Sequence, residues 1–263
     1  PGWVKFCEKK YPEFAPNIST CRSPQGMMSA VVKEYFKERD AEDGKKTFVV
    51  SIMPCTAKKG EILREDNFTD GIQDTDCVLT TVEIIRMIKE VGISFEKLAG
   101  EAADMPFSIA SGGGAIFGTT GGVTEAVLRH LVKDKNYKSL NTIAFSGVRG
   151  EDGLKETSVN LDGREVRIAV VHGLANAGRL LDDIKAGRKE YDFVEVMACR
   201  RGCIMGGGQP PQAGSRTRKG RMEGIYKVDA ASSIRFPDEN PIVRQLYGDL
   251  LKGKEHKLLH RNL

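Results

Sequence analysis

A chain of 263 residues with a hydrophobic share of 40% and a charged share of 29% has the makeup of a folded globular protein, long enough for one large domain or two modest ones. Its net charge of +4, from 40 Lys plus Arg against 36 Asp plus Glu, is too balanced to imply a nucleic acid or an anionic membrane as partner, and no apolar run approaches a transmembrane length. Six cysteines are too few for a disulfide scaffold, and their uneven spacing points to a reducing, cytoplasmic setting with a metal or redox use.

The N-terminus, Pro1-Gly2-Trp3-Val4-Lys5-Phe6, carries neither an initiator Met nor a basic-then-apolar signal, and reads as the cut edge of a longer protein. Ser23 then Pro24 reads as an N-cap and first helical residue, followed by Met27, Met28, Val31, Val32, Tyr35 and Phe36 at helical spacing. After the polar residues 39–46, residues 47–53 are β-branched and apolar and predict a buried strand, stopped by Pro54 so that Cys55 opens a loop. A second strand, Cys77-Val78-Leu79, leads into Thr80-Thr81-Val82-Glu83, a capping box for a helix carrying Ile84, Ile85 and Ile88 and closing at Gly92.

A glycine-rich run, residues 111–122, precedes an amphipathic helix over 123–133. Around Asn160-Leu161-Asp162-Gly163 two alternating segments predict a hairpin whose second strand spans 166–171. A helix over 174–185 and a strand over 192–197 follow, and the strand runs into Ala198-Cys199. The basic cluster Arg216-Thr217-Arg218-Lys219-Gly220-Arg221 reads as an exposed, solvated loop rather than a docking patch for an acidic carrier. Asn240-Pro241 caps a last helix through Leu251. Recurrent strand-then-helix order predicts an α/β fold with parallel sheet covered by helices, and ligands beyond the carboxyl ends of the strands.

Three cysteines stand at such strand ends: Cys55 in Met53-Pro54-Cys55-Thr56-Ala57-Lys58-Lys59-Gly60-Glu61, and Cys199 with Cys203 in Met197-Ala198-Cys199-Arg200-Arg201-Gly202-Cys203-Ile204-Met205-Gly206-Gly207-Gly208-Gln209-Pro210. If a helical turn starts at Cys199, the four-residue step brings both Cβ atoms to roughly 5–6 Å on one face. Thiolates at that spacing suit an iron–sulfur cube, and the glycines downstream let backbone amides approach sulfide.

These two strings resemble the second and third signature motifs of the FeFe (iron-only) hydrogenases, through Met53-Pro54-Cys55 with Lys58 and Glu61, and through Glu195-Val196-Met197-Ala198-Cys199 with Gly202, Cys203 and residues 206–210. Pro1-Gly2-Trp3 is similar to the tail of the first signature, Ser19 and Ser23-Pro24-Gln25 to the segment after it, Ile116-Phe117-Gly118 with Gly121-Gly122 to a middle segment, and the stretch from Asn240-Pro241 to His260 to the family's C-terminal helices. The resemblance implies an α/β fold with parallel β-sheets flanked by helices in two lobes, the cofactor between them, and C-terminal helices. The first lobe would take residues of about 1–100, the second about 101–235, and the C-terminal helical segment 236–263.

The cofactor so implied is a 4Fe-4S cube joined through one cysteine to a two-iron subcluster with carbon monoxide, cyanide and dithiolate ligands. Cys203 would be the bridge, with Cys55 and Cys199 as cube ligands; the fourth ligand and the cysteine that relays protons belong to the first signature, upstream of Pro1, in a missing N-terminal part of the same domain. Hydrogen would be polarised at the distal iron, its proton taken by the dithiolate amine, and its electrons passed through the cube to ferredoxin or another electron carrier. Lys58 would donate a charge-assisted hydrogen bond to a cyanide, and Met53, Met197 and Phe117 would line the pocket beside Pro54, Pro24 and Gln25. Ser19 matches a serine of the family's proton route. Gly26 departs from a glutamine common at its position, and Cys7, Cys21 and Cys77 match no ligand.

Other signals carry less. No G-K-[ST] follows the glycine-rich run, which makes it weak evidence for a phosphate cradle. His256 and His260 have the spacing of zinc-protease histidines, with Lys257 where the catalytic Glu would stand. No Ser, His and Asp set supports acyl transfer. Two rivals to a catalytic hydrogenase remain: the hydrogenase-like proteins of iron–sulfur assembly, which lack the two-iron unit, and a sensory hydrogenase. Residues 114–118 with Gly121-Gly122 and the complete Gly206-Gly207-Gly208-Gln209-Pro210 favour the catalytic reading, in the cytoplasm or the periplasm.

Overall fold

The computed structural model describes residues 1–161, 163–211 and 214–261, and the chain divides into two compact units. The first comprises Pro1–Glu101, Gly207–Pro210 and Arg244–Leu263; the second comprises Ala102–Gly206 and Pro211–Val243. Both mix helices with short sheets that contain parallel strands.

The first unit opens with α1 (Gly2–Lys10) and α2 (Pro24–Asp43). Ser23 caps α2 by accepting from the Gly26 amide, Pro24 holds the first position, and Gly44 ends the helix at φ +63°. The strand expected over residues 47–53 is reduced to β1 (Val50–Met53), because carboxylates take the backbone donors ahead of it: Asp40 accepts from the Thr47 amide and Asp76 from the Val49 amide at 2.7 Å. Nor is β1 buried. Ser51 points inward, whereas Val50 and Ile52 are about half exposed, since this sheet has only two strands and is covered on the Ser51 face.

A short helix, α3 (Lys58–Glu61), and a hairpin of β2 (Phe68–Thr69) with β3 (Ile72–Gln73) lead to β4 (Cys77–Thr80), which pairs parallel with β1 in the register Met53 to Thr80. α4 (Thr81–Glu90) starts on the predicted capping box, with the Thr80 hydroxyl accepting from the Glu83 amide and the Glu83 carboxylate accepting from the Thr80 amide at 2.7 Å. Arg22, buried, ties this unit together. Its guanidinium donates to Asp74 at 2.8 Å and to the His260 and Lys257 carbonyls at 3.0 and 3.1 Å.

In the second unit the glycine-rich run forms α5 (Gly112–Ala115) and a 3-10 turn, Ile116–Gly118, before α6 (Gly122–Leu131). α7 (Tyr137–Ala144) follows, starting at Asn136, whose side chain accepts from the Ser139 amide. β5 (Leu154–Leu161) and β6 (Arg164–His172) form the expected antiparallel pair, and Asp162, named in that expectation, lies outside the described residues; β7 (Phe193–Met197) adds to β6 in parallel after α8 (Leu174–Lys185). Leu128, Ile143, Val148, Ile168 and Val170 form the core between these helices and the sheet.

The basic cluster at residues 216–221 is not a loop. It begins α9 (Ser215–Ala231), since Arg and Lys are good helix formers and Arg221 has a helix-compatible partner in the Ile204 carbonyl at 2.9 Å. Asn240 caps α10 (Pro241–Gly248) as expected, accepting from the Ile242 amide at 2.9 Å. That helix stops at Gly248 rather than reaching Leu251, and α11 (Glu255–Leu259) follows separately in the first unit. His256 and His260 stack their rings at 5.3 Å, a packing pair.

Hydrogen bonds from the Thr80 amide, Lys59 and the Thr80 hydroxyl hold the Glu83 carboxyl down to about 2. A folded pKa below the unfolded one gives stability that is present above about pH 4.3 and lost as pH falls toward 2. Glu83→Gln is therefore expected to lower the denaturation midpoint at pH 7, with the gap to wild type closing between pH 5 and pH 2.5 in chemical unfolding followed by circular dichroism. A gap constant across that range would count against the capping box as its source.

Candidate functional site

In the first unit, β1 delivers Met53, Pro54 and Cys55, all half-buried, to a turn in which the chain folds back on itself. Gly208 lies over this turn. Its amide donates to the Pro54 carbonyl at 3.0 Å, and its own carbonyl accepts from the Val82 amide at 3.1 Å. A Cβ on Gly208 would stand 2.7 Å from the Cys55 nitrogen and 2.8 Å from the Pro54 carbonyl carbon, so only glycine lets the tract after Cys203 lie on the Cys55 backbone.

Lys58 is buried rather than solvent-facing. Its Nζ lies 2.7 Å from Glu61 Oε2 and donates to Oε1 at 3.1 Å, which fixes the ammonium on the face of α3. Gln25 is also buried: its Oε1 accepts from Ser51 at 2.7 Å, joining α2 to β1, and its Nε2 has no protein partner. Pro24 is exposed at the start of α2. Ser19 is exposed, and its hydroxyl oxygen accepts from the Cys21 amide at 3.2 Å. Gly26 has its reason in packing, for a Cβ there would meet Asn67 Oδ1 at 2.7 Å.

In the second unit β7 ends at Met197, half-buried, whose carbonyl accepts from the Gly173 amide at 2.8 Å. Cys199 does not start a helical turn. The Gly202 amide reaches back to the Cys199 carbonyl at 3.2 Å, with Arg201 at φ +66° and Gly202 at φ +89°, and Cys203 then opens a 3-10 turn, Cys203–Met205. The four-residue step therefore separates the two thiols by a left-handed bend instead of stacking them on a helix face. Gly202 is pressed onto the glycine-rich segment: a Cβ would lie 2.8 Å from the Thr120 nitrogen and 2.9 Å from the Gly118 carbonyl oxygen. Phe117, half-buried, sits in the 3-10 turn before Gly118.

Two buried charges join the site that no motif assigned a part: Glu195, which stands inside the third string, and Lys155, which stands in none. Glu195 lies on β7, and its carboxylate accepts from the Gly121 amide at 2.6 Å and from the Thr124 amide and hydroxyl, both at 2.8 Å. Lys155 donates to the Gly150 carbonyl at 3.0 Å and to the Thr120 carbonyl at 3.4 Å; desolvation pulls its pKa down, while Glu195 and Asp152 oppose the shift. With Glu195 and Thr124 71 positions apart in the sequence, only an acidic side chain at an inward strand position hints at the contact.

None of the six cysteines forms a disulfide, and Cys55, Cys199 and Cys203 are half-buried. Among the described residues no three His, Cys, Asp or Glu side chains are grouped closely enough to hold a single metal ion. An iron–sulfur cluster is a wider body, held by thiolates alone. Gly208→Ala is expected to cost about 1–3 kcal/mol of stability, the usual scale of overpacking, and to change the alkylation rate of Cys55 while leaving Cys77 unaffected. An unchanged denaturation midpoint and Cys55 rate would contradict the tight approach.

Residues 1–207 match the family model for the C-terminal domain of the iron only hydrogenase large subunit, and residues 215–262 match that for the iron hydrogenase small subunit. The periplasmic Fe hydrogenase large subunit of Nitratidesulfovibrio vulgaris is 47% identical over 81% of this chain and 51% of that protein, and iron hydrogenase 1 of Clostridium pasteurianum is 38% identical over 99% and 47%. Cytosolic iron-sulfur assembly component 3 of Pongo abelii is 34% identical over 100% of the chain and 56% of its own length. The chain thus spans about half the length of the curated relatives it matches. Among solved structures, a variant FeFe-hydrogenase from Chlamydomonas reinhardtii superimposes with a TM-score of 0.80 at 36% identity, covering 100% of this chain and 74% of that one. By sequence and by fold, the chain belongs to the family of iron-only hydrogenase C-terminal domains, those of the large subunit.

Proposed function

We propose that this chain serves the reversible oxidation of molecular hydrogen to protons and electrons, with Cys55, Cys199 and Cys203 as ligands of a 4Fe-4S cube and Cys203 as the bridge to a two-iron subcluster. When bound, that group supplies a Lewis-acidic iron for hydrogen and a path for electrons through the cube. The residues present fit it. Three half-buried thiols outside any disulfide provide soft ligands. The observation that carries the reading is that each ligand loop lies in a close backbone approach that glycine permits, Gly208 over Cys55 and Gly202, within the Cys199 bend, on Thr120 and Gly118, inside two matched motifs.

The remaining side chains suit the same chemistry. The Lys58 ammonium, buried and aimed by Glu61, is a charge-assisted donor for a cyanide ligand and offsets the negative charge of a thiolate-bound cluster. Met53, Pro54, Phe117 and Met197 are half-buried, apolar or polarizable groups suited to excluding water, and Pro24 with Gln25 would complete that lining. Ser19 accepts from the Cys21 amide, which leaves its own proton free to be passed on. Electrons would be exchanged with ferredoxin or a comparable carrier. One of the named hydrogenases is periplasmic and the named assembly component is cytosolic, and a cytoplasmic location is the part of the proposal that cell fractionation decides.

A second reading, a non-catalytic assembly protein, draws on the 34% identity over the whole chain, below the 47% and 38% of the two hydrogenases. The two readings part at the two-iron unit. Infrared spectra of the full-length protein are expected to show carbonyl and cyanide stretches in the wild type, and Cys203→Ser is expected to remove them together with hydrogen turnover, because oxygen is a poor bridge between soft irons. Absence of the bands in fully loaded wild-type protein would reject the hydrogenase reading in favour of the assembly one, and wild-type turnover in Cys203→Ser would reject the bridge.

A further inference from the structure

The segment 118–124 is held at several points by the cysteine-bearing tract. Four residues before Cys199, the Glu195 carboxylate takes the Gly121 amide and both polar groups of Thr124. One residue before Cys203, Gly202 rests on the Thr120 nitrogen and the Gly118 carbonyl, and Ile204 packs beside Gly118 at 3.4 Å from where a Cβ would be. Lys155 also donates to the Thr120 carbonyl, at 3.4 Å. Within the bend between the two cysteines the Gly202 amide donates to the Cys199 carbonyl at 3.2 Å, and the close approach of Gly202 to Thr120 and Gly118 holds the bend from outside.

We infer that Glu195 is a positioning residue for the iron–sulfur site: by locking residues 118–124 into the template on which Gly202 is seated, it fixes the separation of the Cys199 and Cys203 thiolates. The inference rests on the reading that these two cysteines are ligands. Glu195 touches neither thiol, and acts through the template. A carboxylate is needed because all the partners of both oxygens are donors or, at the Thr124 hydroxyl, a group that donates here. A glutamine of the same shape turns an NH2 group toward one of two amides and leaves that buried N–H unpaired.

The test uses the full-length protein loaded with its iron–sulfur clusters, comparing Glu195→Gln with Ile143→Val, a core variant of the same unit away from the template. Glu195→Gln is expected to bleach about tenfold faster in the presence of an iron chelator, equivalent to about 1.4 kcal/mol, and to alter the electron paramagnetic resonance line shape of the reduced cube. Ile143→Val is expected to lower the melting temperature while leaving line shape and bleaching within about twofold of wild type, which a merely structural role for Glu195 would also do. Should Glu195→Gln not fold, Thr124→Val, which removes only the hydroxyl bond, is expected to show the same line-shape change with a smaller rate effect. Bleaching and line shape equal to those of Ile143→Val, in whichever variant folds, would overturn the inference. Cys199→Ser and Cys203→Ser report separately on its premise: retention of an unaltered cube in both would remove the ligand reading and this inference with it, whereas their loss of the cube alongside an inert Glu195→Gln would remove the inference alone.

Discussion

A glycine-rich stretch has few side chains with which to hold its own shape, and in this protein buried carboxylates do that work. Glu195 collects the amides at one end of residues 112–124. At the other, Asp229 lies against Gly112, and its carboxylate is bound by Arg129 at 2.6 and 2.7 Å and by Arg235 at 2.7 Å. Glu125 closes the set, taking Arg129 at 2.6 Å and Arg149 at 2.7 Å, with the Arg149 guanidinium stacked over the Tyr226 ring at 4.2 Å. Everything the second unit offers around Cys199 and Cys203 depends on this segment keeping one conformation.

Burying so many charges is tolerable only because each carboxylate is answered. Burial alone would push Asp229 up, but bonds from Arg129 and Arg235 outweigh it and hold the carboxyl below its ordinary range. Removing one member of such a set costs about 3–5 kcal/mol, since an uncompensated charge stays behind, whereas the intact set adds little net stability over apolar packing. What the network supplies is therefore definition more than strength. The apolar core of Leu128, Ile143, Val148, Ile168 and Val170 supplies the strength, with Leu128 on the same helix α6 that carries Glu125 and Arg129. In the first unit Arg22 plays the corresponding part on a smaller scale, spending its donors on Asp74 and on the carbonyls at the end of α11.

What could be read from sequence was whatever is encoded within a few residues. Ser23-Pro24, the Thr80 to Glu83 box and Asn240-Pro241 each fix a helix start by local bonds, and all three starts are where their residues put them. The cysteine strings are equally local, which is why they point to a family without any knowledge of the fold. Expectation and structure part where distant groups intervene. Asp76 claims the Val49 amide and shortens β1, the Ile204 carbonyl gives Arg221 a partner and the basic cluster becomes helix, and the seat offered by Thr120 and Gly118 lets Arg201 and Gly202 adopt positive φ where a helical turn was expected. Glu195 illustrates the limit best: its identity is plain in the motif, but its partners lie 71 and 74 residues away, so its part is invisible until the chain is folded.

The bend at Cys199 also bears on how a cluster could be received. Two thiols on one helical face would be spaced by the helix itself, and that spacing would survive changes elsewhere. Two thiols joined by a left-handed bend owe their spacing to whatever holds the bend, and here that is backbone of residues 118–120 and the seat beneath Gly202. Ordering a loose loop at the moment of metal binding subtracts from affinity, roughly 1–2 kcal/mol for each residue's backbone; a loop already seated avoids much of that loss. The positive φ at Arg201 is unusual for a residue with a side chain, and its cost is met within the folded unit rather than at the site. Glycine at 202 and carboxylate at 195 are thus two halves of one arrangement: the first permits the backbone to come close, and the second keeps what it comes close to from moving.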